Sequence, residues 1–244
     1  MQNLHGNNYK KISPNNEMLN IILAESSLEL IPKQMHNHPA VTSYSKKFKK
    51  DPSKILLDNS WHFAAMKGVE NEIKRGRPDI IHLTLLSICT SPAFYENHIS
   101  VQVHTINDNV INISNNVRLP KSYHRFQGLM EQLFVEKIIR SSEDDQILMS
   151  IEDSNLSHLV DGYDQIIGLT TDAPQKTTFE KFSKLITENT CIIIGGFQKG
   201  HFSSNTTNIL TKKFRIGTSS LEAHLVASRL VYEYEKNKSP FLFR

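Results

Sequence analysis

The apolar run Cys191 to Ile194, which ends at Gly195 and Gly196, constrains this chain more than any other stretch. Consecutive apolar residues over a strand's length leave no face for water, so they suit a strand buried on both sides inside a parallel sheet. That strand empties into a loop closed by Gly200. Adjacent glycines with a third four residues later serve backbone at positive φ, or close approach of backbone to a flat or phosphorylated cofactor. A tight turn without any ligand suits the same glycines. Gly195 and Gly200 have P-loop spacing, but His201 and Phe202 stand where Lys and Ser or Thr should follow, and no GxGxxG opens a helix. The usual grips on a nucleoside triphosphate or a dinucleotide are therefore missing.

Downstream, residues 216–235 read IGTSSLEAHLVASRLVYEYE. Ser219 with Glu222 has the form of a capping box and predicts a helix to about Lys236. Leu221, Leu225 and Tyr232 fall on one side of its wheel, with Val226 and Leu230 elsewhere, so the helix packs on two sides. One side would cover the sheet and the other a second subunit, which makes a homodimer the expected state.

The 244 residues suffice for one large domain, and a net charge of +3 is only mildly basic, so nucleic-acid binding has to rest on clustered charge. Cys89 and Cys191 lie in apolar runs without CxxC spacing, as buried thiols of a reducing compartment do. His36, His38 and His201 have no Cys or carboxylate cluster beside them in sequence, so no metal is expected. No apolar segment is long enough for a membrane span, and the Asn-rich N-terminus does not read as a signal peptide. A soluble intracellular protein is expected.

Residues 1–17 lack apolar periodicity and read as a flexible N-terminal tail. Residues 18–244 are expected to form one α/β domain. Strands are predicted at Leu19–Ala24, Ile147–Ile151, Gln165–Leu169 and Cys191–Ile194. A helical turn is predicted at Ser26–Ile31, stopped by Pro32, and a helix around Trp61–Lys67. Ile80–Cys89 suits either a central strand or a buried helix. Val101–Ile106 and Val110–Ile113 alternate apolar and polar residues about Asn107-Asp108-Asn109, a hairpin pattern. Phe126, Leu129, Met130, Leu133 and Phe134 give the clearest amphipathic helix. Phe179, Phe182 and Ile186 share one face of another. Strands alternating with helices argue for a sheet with crossover helices.

Positive charge gathers in three places. Residues 44–54 carry Lys46, Lys47, Lys49, Lys50 and Lys54 against Asp51 alone, the composition of a solvated loop. Lys74-Arg75-Gly76-Arg77-Pro78-Asp79 is a constrained loop that would display three cations, with Asp79 orienting Arg77 for bidentate phosphate contact or simply pairing with it. Arg118, Lys121 and Arg125 lead into the amphipathic helix. Cations there oppose the helix dipole by about 0.3–1 kcal/mol each, a placement that makes sense beside a bound phosphate. Tyr123 is placed to stack on a base, and a solvated basic turn is the plainer reading.

The segments LELIPKQMHNHPAV, ILLDNSWHFAAM, RGRPDIIH, VHTINDNVI, RLPKSYHRFQGLMEQLF, IGGFQKG and IGTSSLEA occur in this order over residues 19–235. In them the chain resembles the SPOUT-class methyltransferases that modify pseudouridine in small-subunit ribosomal RNA, a ribosome-biogenesis family. The resemblance implies a SPOUT-type parallel sheet with crossover helices and a C-terminal trefoil knot around residues 165–235, plus a small β-hairpin and loop insertion around 35–125. It implies S-adenosylmethionine bound in the knot by Leu169, Thr170, Gly195, Gly196, Gly200, Ile216, Gly217, Thr218, Ser219, Ser220 and Leu221. It further implies RNA binding by Arg77, Arg118, Lys121 and Arg125, with Asp79 steadying Arg77 and Lys46 to Lys54 extending that surface. Lys121 stands where many members have Arg, and Ser219-Ser220 and Gln198-Lys199 depart from the family's Tyr-Pro and Pro-His. The implied reaction is methyl transfer to N1 of a pseudouridine, in an archaeal-type cytoplasm, or a nucleolus if the source is eukaryotic. An RNA-binding assembly factor of the small subunit that does not methylate is the alternative.

Overall fold

The apolar run 191–194 lies in the interior of the sheet. In the computed structural model, which describes residues 18–238, β8 (Thr190–Gly195) is flanked by parallel strands on both sides. The expected tail at 1–17 lies outside the described residues. The chain runs β1 (Leu19–Ser26), α1 (Pro39–Phe48), α2 (Asn59–Met66), α3 (Pro78–Cys89), α4 (Pro92–Tyr95), β2 (Ile99–Thr105) and β3 (Asn109–Ile113). It continues through α5 (Tyr123–Glu136), β4 (Ile138–Arg140), β5 (Ile147–Asp153), α6 (Leu156–Leu159), β6 (Gln165–Leu169), β7 (Gln175–Thr177) and α7 (Phe179–Ser183). After β8 come α8 (Ser204–Ile209), β9 (Lys212–Ile216) and α9 (Ala223–Lys238).

Among the described residues the strands form a sheet in the order β4-β5-β3-β2-β1-β8-β6-β9-β7. From β2 to β7 every neighbouring pair is parallel, while β3, β5 and β4 extend it antiparallel. The expected hairpin therefore forms part of the main sheet, with β2 paired to β1 over Leu19↔Ile99 to Leu23↔Val103. Both faces of the central strands are buried. Ile192 and Ile194 join the large core under α3, α5, α7 and α9, while Cys191 and Ile193 join a smaller one with Leu156 of α6 and Val160 just after it. Burial pushes both cysteine thiols well above the ordinary thiol range, so neither is reactive.

Several segments differ from their sequence expectations for tertiary reasons. Ser26–Ile31 is extended, because Leu57 N–H donates to Glu29 O and Ile31 N–H to Ile55 O, a pairing that a local reading cannot see. Ile80–Cys89 is the buried helix α3, with Pro78 at its first turn. Helix α9 starts at Ala223, with Leu225 and Val226 donating to Glu222 O, so Ser219 lies in the preceding loop and is no cap. The Lys-rich stretch 44–54 is largely helical: α1 has Pro39 in its first turn, the ring of His38 as its cap and Lys49 in the left-handed conformation at its end.

Candidate functional site

Strands β6, β8 and β9 are parallel, so the segments after Leu169, Gly195 and Ile216 leave the same edge of the sheet. Crevices at the carboxyl ends of parallel strands are where α/β sheets take ligands. The three loops are linked to neighbouring strands by backbone: Thr170 N–H donates to Phe214 O at 3.0 Å, Gly196 N–H to Ala24 O at 2.9 Å and Gly217 N–H to Thr177 O at 3.1 Å. Leu169 and Ile216 are buried apolar ends beneath them, Leu221 is half-buried, and residues 217–220 are exposed.

The glycines have distinct reasons. A Cβ on Gly196 would meet Ser26 Oγ at 2.2 Å, Ile81 Cδ1 at 2.7 Å and Ser26 Cα at 2.9 Å, so this glycine is required for close packing inside the chain. Gly200 and Gly217 have φ of +99° and +70°, and a Cβ on Gly217 would meet nothing within 4 Å. Apolar strand ends below an exposed, glycine-turned backbone rim suit an adenosine group, whose flat base takes apolar contact and whose edge takes backbone hydrogen bonds. Residues 169–170, 195–200 and 216–221, which the resemblance assigns to S-adenosylmethionine, lie at this one edge. Thr170 Oγ donates to the Asp172 carboxylate and holds its pKa below the usual range.

The Lys74–Asp79 loop is organised differently from its expectation. Only Arg77 of its cations faces outward: the Lys74 ammonium pairs with Glu25, and Arg75 pairs with Glu29, both carboxylates buried at the end of β1. Arg77 Nε and Nη2 donate to the two oxygens of Asp79 at 2.8 and 2.7 Å, and this bidentate pair raises the guanidinium pKa further. Glu25 also accepts from Ser203 N–H at 2.7 Å, and Lys74 Nζ lies 4.5 Å from the Phe197 ring centroid. The same pair therefore braces the chain around Gly200.

Ser27 connects the two regions. Its N–H donates to Gly196 O at 2.8 Å, and its hydroxyl accepts from Arg77 N–H at 2.7 Å. Sequence reasoning missed Ser27, Glu25 and Glu29. The available signal was the cluster Glu25-Ser26-Ser27 directly after an apolar strand, because polar residues at a parallel strand's carboxyl end lie where sites form.

Arg118, Lys121 and Arg125 are exposed around the start of α5 and make no ion pair among the described residues. Ser122 at the helix cap makes no side-chain bond to the first-turn amides. Unpaired cations beside uncapped amides are the setting in which helix starts take anions. His82 Nε2 holds the Pro120 carbonyl at 2.7 Å, and its ring stacks on Phe126 at 4.5 Å, so α3 fixes this turn. Tyr123, expected as a stacking ring, is instead half-buried with its hydroxyl donating to Asp58. Burial, reinforced by Asp58, pushes that hydroxyl's pKa up. His36 binds Ile31 O at 2.8 Å and His38 caps α1; among the described residues no group of three or more His, Cys, Asp or Glu is placed to hold a metal.

The chain matches the family described as EMG1/NEP1 methyltransferase over residues 21–235. It is 42% identical over 212 residues to the "Ribosomal RNA small subunit methyltransferase Nep1" of Saccharolobus solfataricus, covering 87% of this chain and 94% of that protein. The protein of the same name from Pyrococcus furiosus is 34% identical over 220 residues, covering 89% of this chain and 96% of its own length. The crystal structure of Archaeoglobus fulgidus Nep1 bound to S-adenosylhomocysteine superposes with a TM-score of 0.80 at 36% identity, covering 90% of this chain and 98% of that one. Matched along nearly its whole described length in sequence and in fold, the chain belongs to the EMG1/NEP1 methyltransferase family.

Proposed function

We propose that this chain transfers a methyl group from S-adenosylmethionine to N1 of a pseudouridine in small-subunit ribosomal RNA. Methylation of small-subunit rRNA is the activity named for its relatives, and the Archaeoglobus structure holds the demethylated product of the donor. The observation that carries the reading is the relay Gly196–Ser27–Arg77, which sets the glycine loop directly against the Arg77–Asp79 pair.

The backbone of residues 169–170, 195–200 and 216–221 holds the donor, which supplies an electrophilic methyl carbon on a sulfonium. Arg77, Arg118, Lys121 and Arg125 grip RNA phosphates, and the target base turns out of its loop toward the glycine edge. As the N1–carbon bond forms, the methyl carbon's bond to sulfur breaks and leaves S-adenosylhomocysteine, and the N1 proton leaves to water or an RNA phosphate. Both Asp79 oxygens are engaged by Arg77, so Asp79 acts by orienting that guanidinium. Catalysis is then mainly alignment of nucleophile and methyl carbon. The protein works as a homodimer, with exposed Leu83 on α3 beside α9 as part of the subunit contact, and in the cytoplasm of an archaeal-type cell.

Calorimetric titration with S-adenosylmethionine, followed by turnover on an RNA hairpin carrying pseudouridine or uridine at one loop position, tests the reading. Binding with methylation of the pseudouridine substrate alone is expected. A chain that binds the hairpin but no S-adenosylmethionine would instead be an assembly factor. An Asp79→Ala variant that kept RNA affinity yet lost turnover would overturn the orienting role.

A further inference from the structure

Helices α1 and α2 carry a surface that neither the glycine loops nor the Arg118–Arg125 turn uses. Val41 and Tyr44 of α1 and Ala65 and Met66 of α2 close a separate small core with Ile55 and Leu57. Outside that core Phe48, Trp61 and Phe63 are 36, 47 and 71% exposed. Scattered single apolar residues on a surface are ordinary, but three large aromatics on two adjoining short helices are not. The Trp61 ring is braced edge-on by Tyr44 at 5.3 Å and Phe48 at 5.9 Å. The Lys47 ammonium lies 4.8 Å from the Trp61 centroid and 5.2 Å from that of Phe48.

The segment 44–54 that carries Phe48 is also cationic. Lys46, Lys49 and Lys54 are exposed and form no ion pair among the described residues, and Asp51 is the one acid of segment 44–54. The patch is also fixed to the helix that carries Lys121 and Arg125 around its start. Lys50 pairs with Glu131, Gln127 donates to the Tyr44 hydroxyl at 3.4 Å, and Asp58 at the start of α2 accepts from Tyr123. Braced aromatic faces in a segment of unpaired cations are the combination that binds single-stranded nucleic acid, bases on the rings and phosphates on the cations.

We propose that the α1–α2 face is a second RNA contact, in which an unpaired base stacks on Trp61 and Phe48 while Lys46, Lys49 and Lys54 hold the flanking phosphates. Lys47 moves off the ring and joins them. The inference rests on the reading of Arg118–Arg125 as an RNA face and extends that face by one stacking platform.

Trp61 is the single tryptophan of the chain, so its emission reports on this site alone. The full chain is titrated with a fluorescein-labelled single-stranded RNA of about 12 nucleotides, within the span such sites cover. Label anisotropy and, with unlabelled RNA, Trp61 emission are followed. Saturable quenching with the midpoint of the anisotropy curve is expected. Trp61→Ala and the charge-reversed triple variant Lys46→Glu/Lys49→Glu/Lys54→Glu should each weaken binding about tenfold, and Trp61→Phe should stay near the parent. The triple variant changes only exposed side chains, which guards against a folding artefact. Binding by anisotropy with unchanged Trp61 emission and an unaffected triple variant would overturn the proposal and leave the Arg118–Arg125 reading standing. No binding by the parent would overturn both, and equal quenching by an oligoglutamate peptide would assign the face to an acidic protein partner instead.

Discussion

The glycine edge and the cationic turn stand close together yet are built on opposite principles. Around Gly195–Gly200 and residues 216–221, shape comes from backbone, and side chains such as Ser26 and Ile81 matter because they leave no room for a Cβ at Gly196. Around α5, shape comes from side chains, with His82 holding the Pro120 carbonyl and Tyr123 bonded to Asp58. The first region should tolerate changes in exposed side chains but hardly any in backbone. The second should behave in the reverse way.

Gly196→Ala is the strongest way to break that contrast. The added methyl meets backbone at Ser26, which cannot swing aside, so overpacking of about 1–3 kcal/mol is expected. S-adenosylmethionine affinity should fall by about tenfold or more in calorimetry, with a lowered unfolding midpoint. A variant that bound normally would show that the loop yields more readily than its packing implies.

Acid should act on the side-chain region first. His62 in α2 is buried, its Nδ1 accepts from Asp58 N–H, and its Nε2 has no partner among the described residues. Burial depresses its pKa against the opposing pull of Asp58. A folded pKa below the unfolded value means that the unfolded chain takes up the proton first. This stability is complete above about pH 6.5 and drains as pH falls through the lower folded value, by at most about 1.4 kcal/mol per pH unit. Denaturant unfolding between pH 7.5 and 5 should show that slope, and His62→Gln, which keeps an acceptor but does not titrate, should flatten it.

Arg125→Ala should weaken RNA binding about fivefold and reduce the salt slope by about one ion, leaving S-adenosylmethionine binding unchanged. Smaller still, Lys121→Arg restores a planar fork and should tighten RNA binding about twofold in anisotropy titrations. Loss of cofactor binding in Arg125→Ala would mean that the two regions are not separable as drawn.

What the sequence disclosed follows the same division. Strand β8, the hairpin of β2 and β3 and helix α5 were legible because each has a clean period or an unbroken apolar run, and local pattern decides them. Segment Ser26–Ile31 was not, since its conformation depends on partners at Ile55 and Leu57 far along the chain. Helix α3 stayed ambiguous because burial on nearly all sides erases amphipathicity, although Pro78 at its first turn marked its start. In the loop 74–79 composition announced three cations, but only the fold reveals that Glu25 and Glu29 turn Lys74 and Arg75 inward and leave Arg77 outside. The resemblance carried the glycine loops further than their composition does, since backbone sites leave little trace beyond glycine itself.

The position of Ser27 bears on the order in which ligands arrive. One peptide unit binds the carbonyl of Gly196, and the hydroxyl on that residue binds the amide that opens α3, so no slack separates the two edges. An occupant that shifts one edge must move the other, and whatever factor it imposes on the second occupant's affinity is returned in equal measure. Priming, if it operates, runs in both directions.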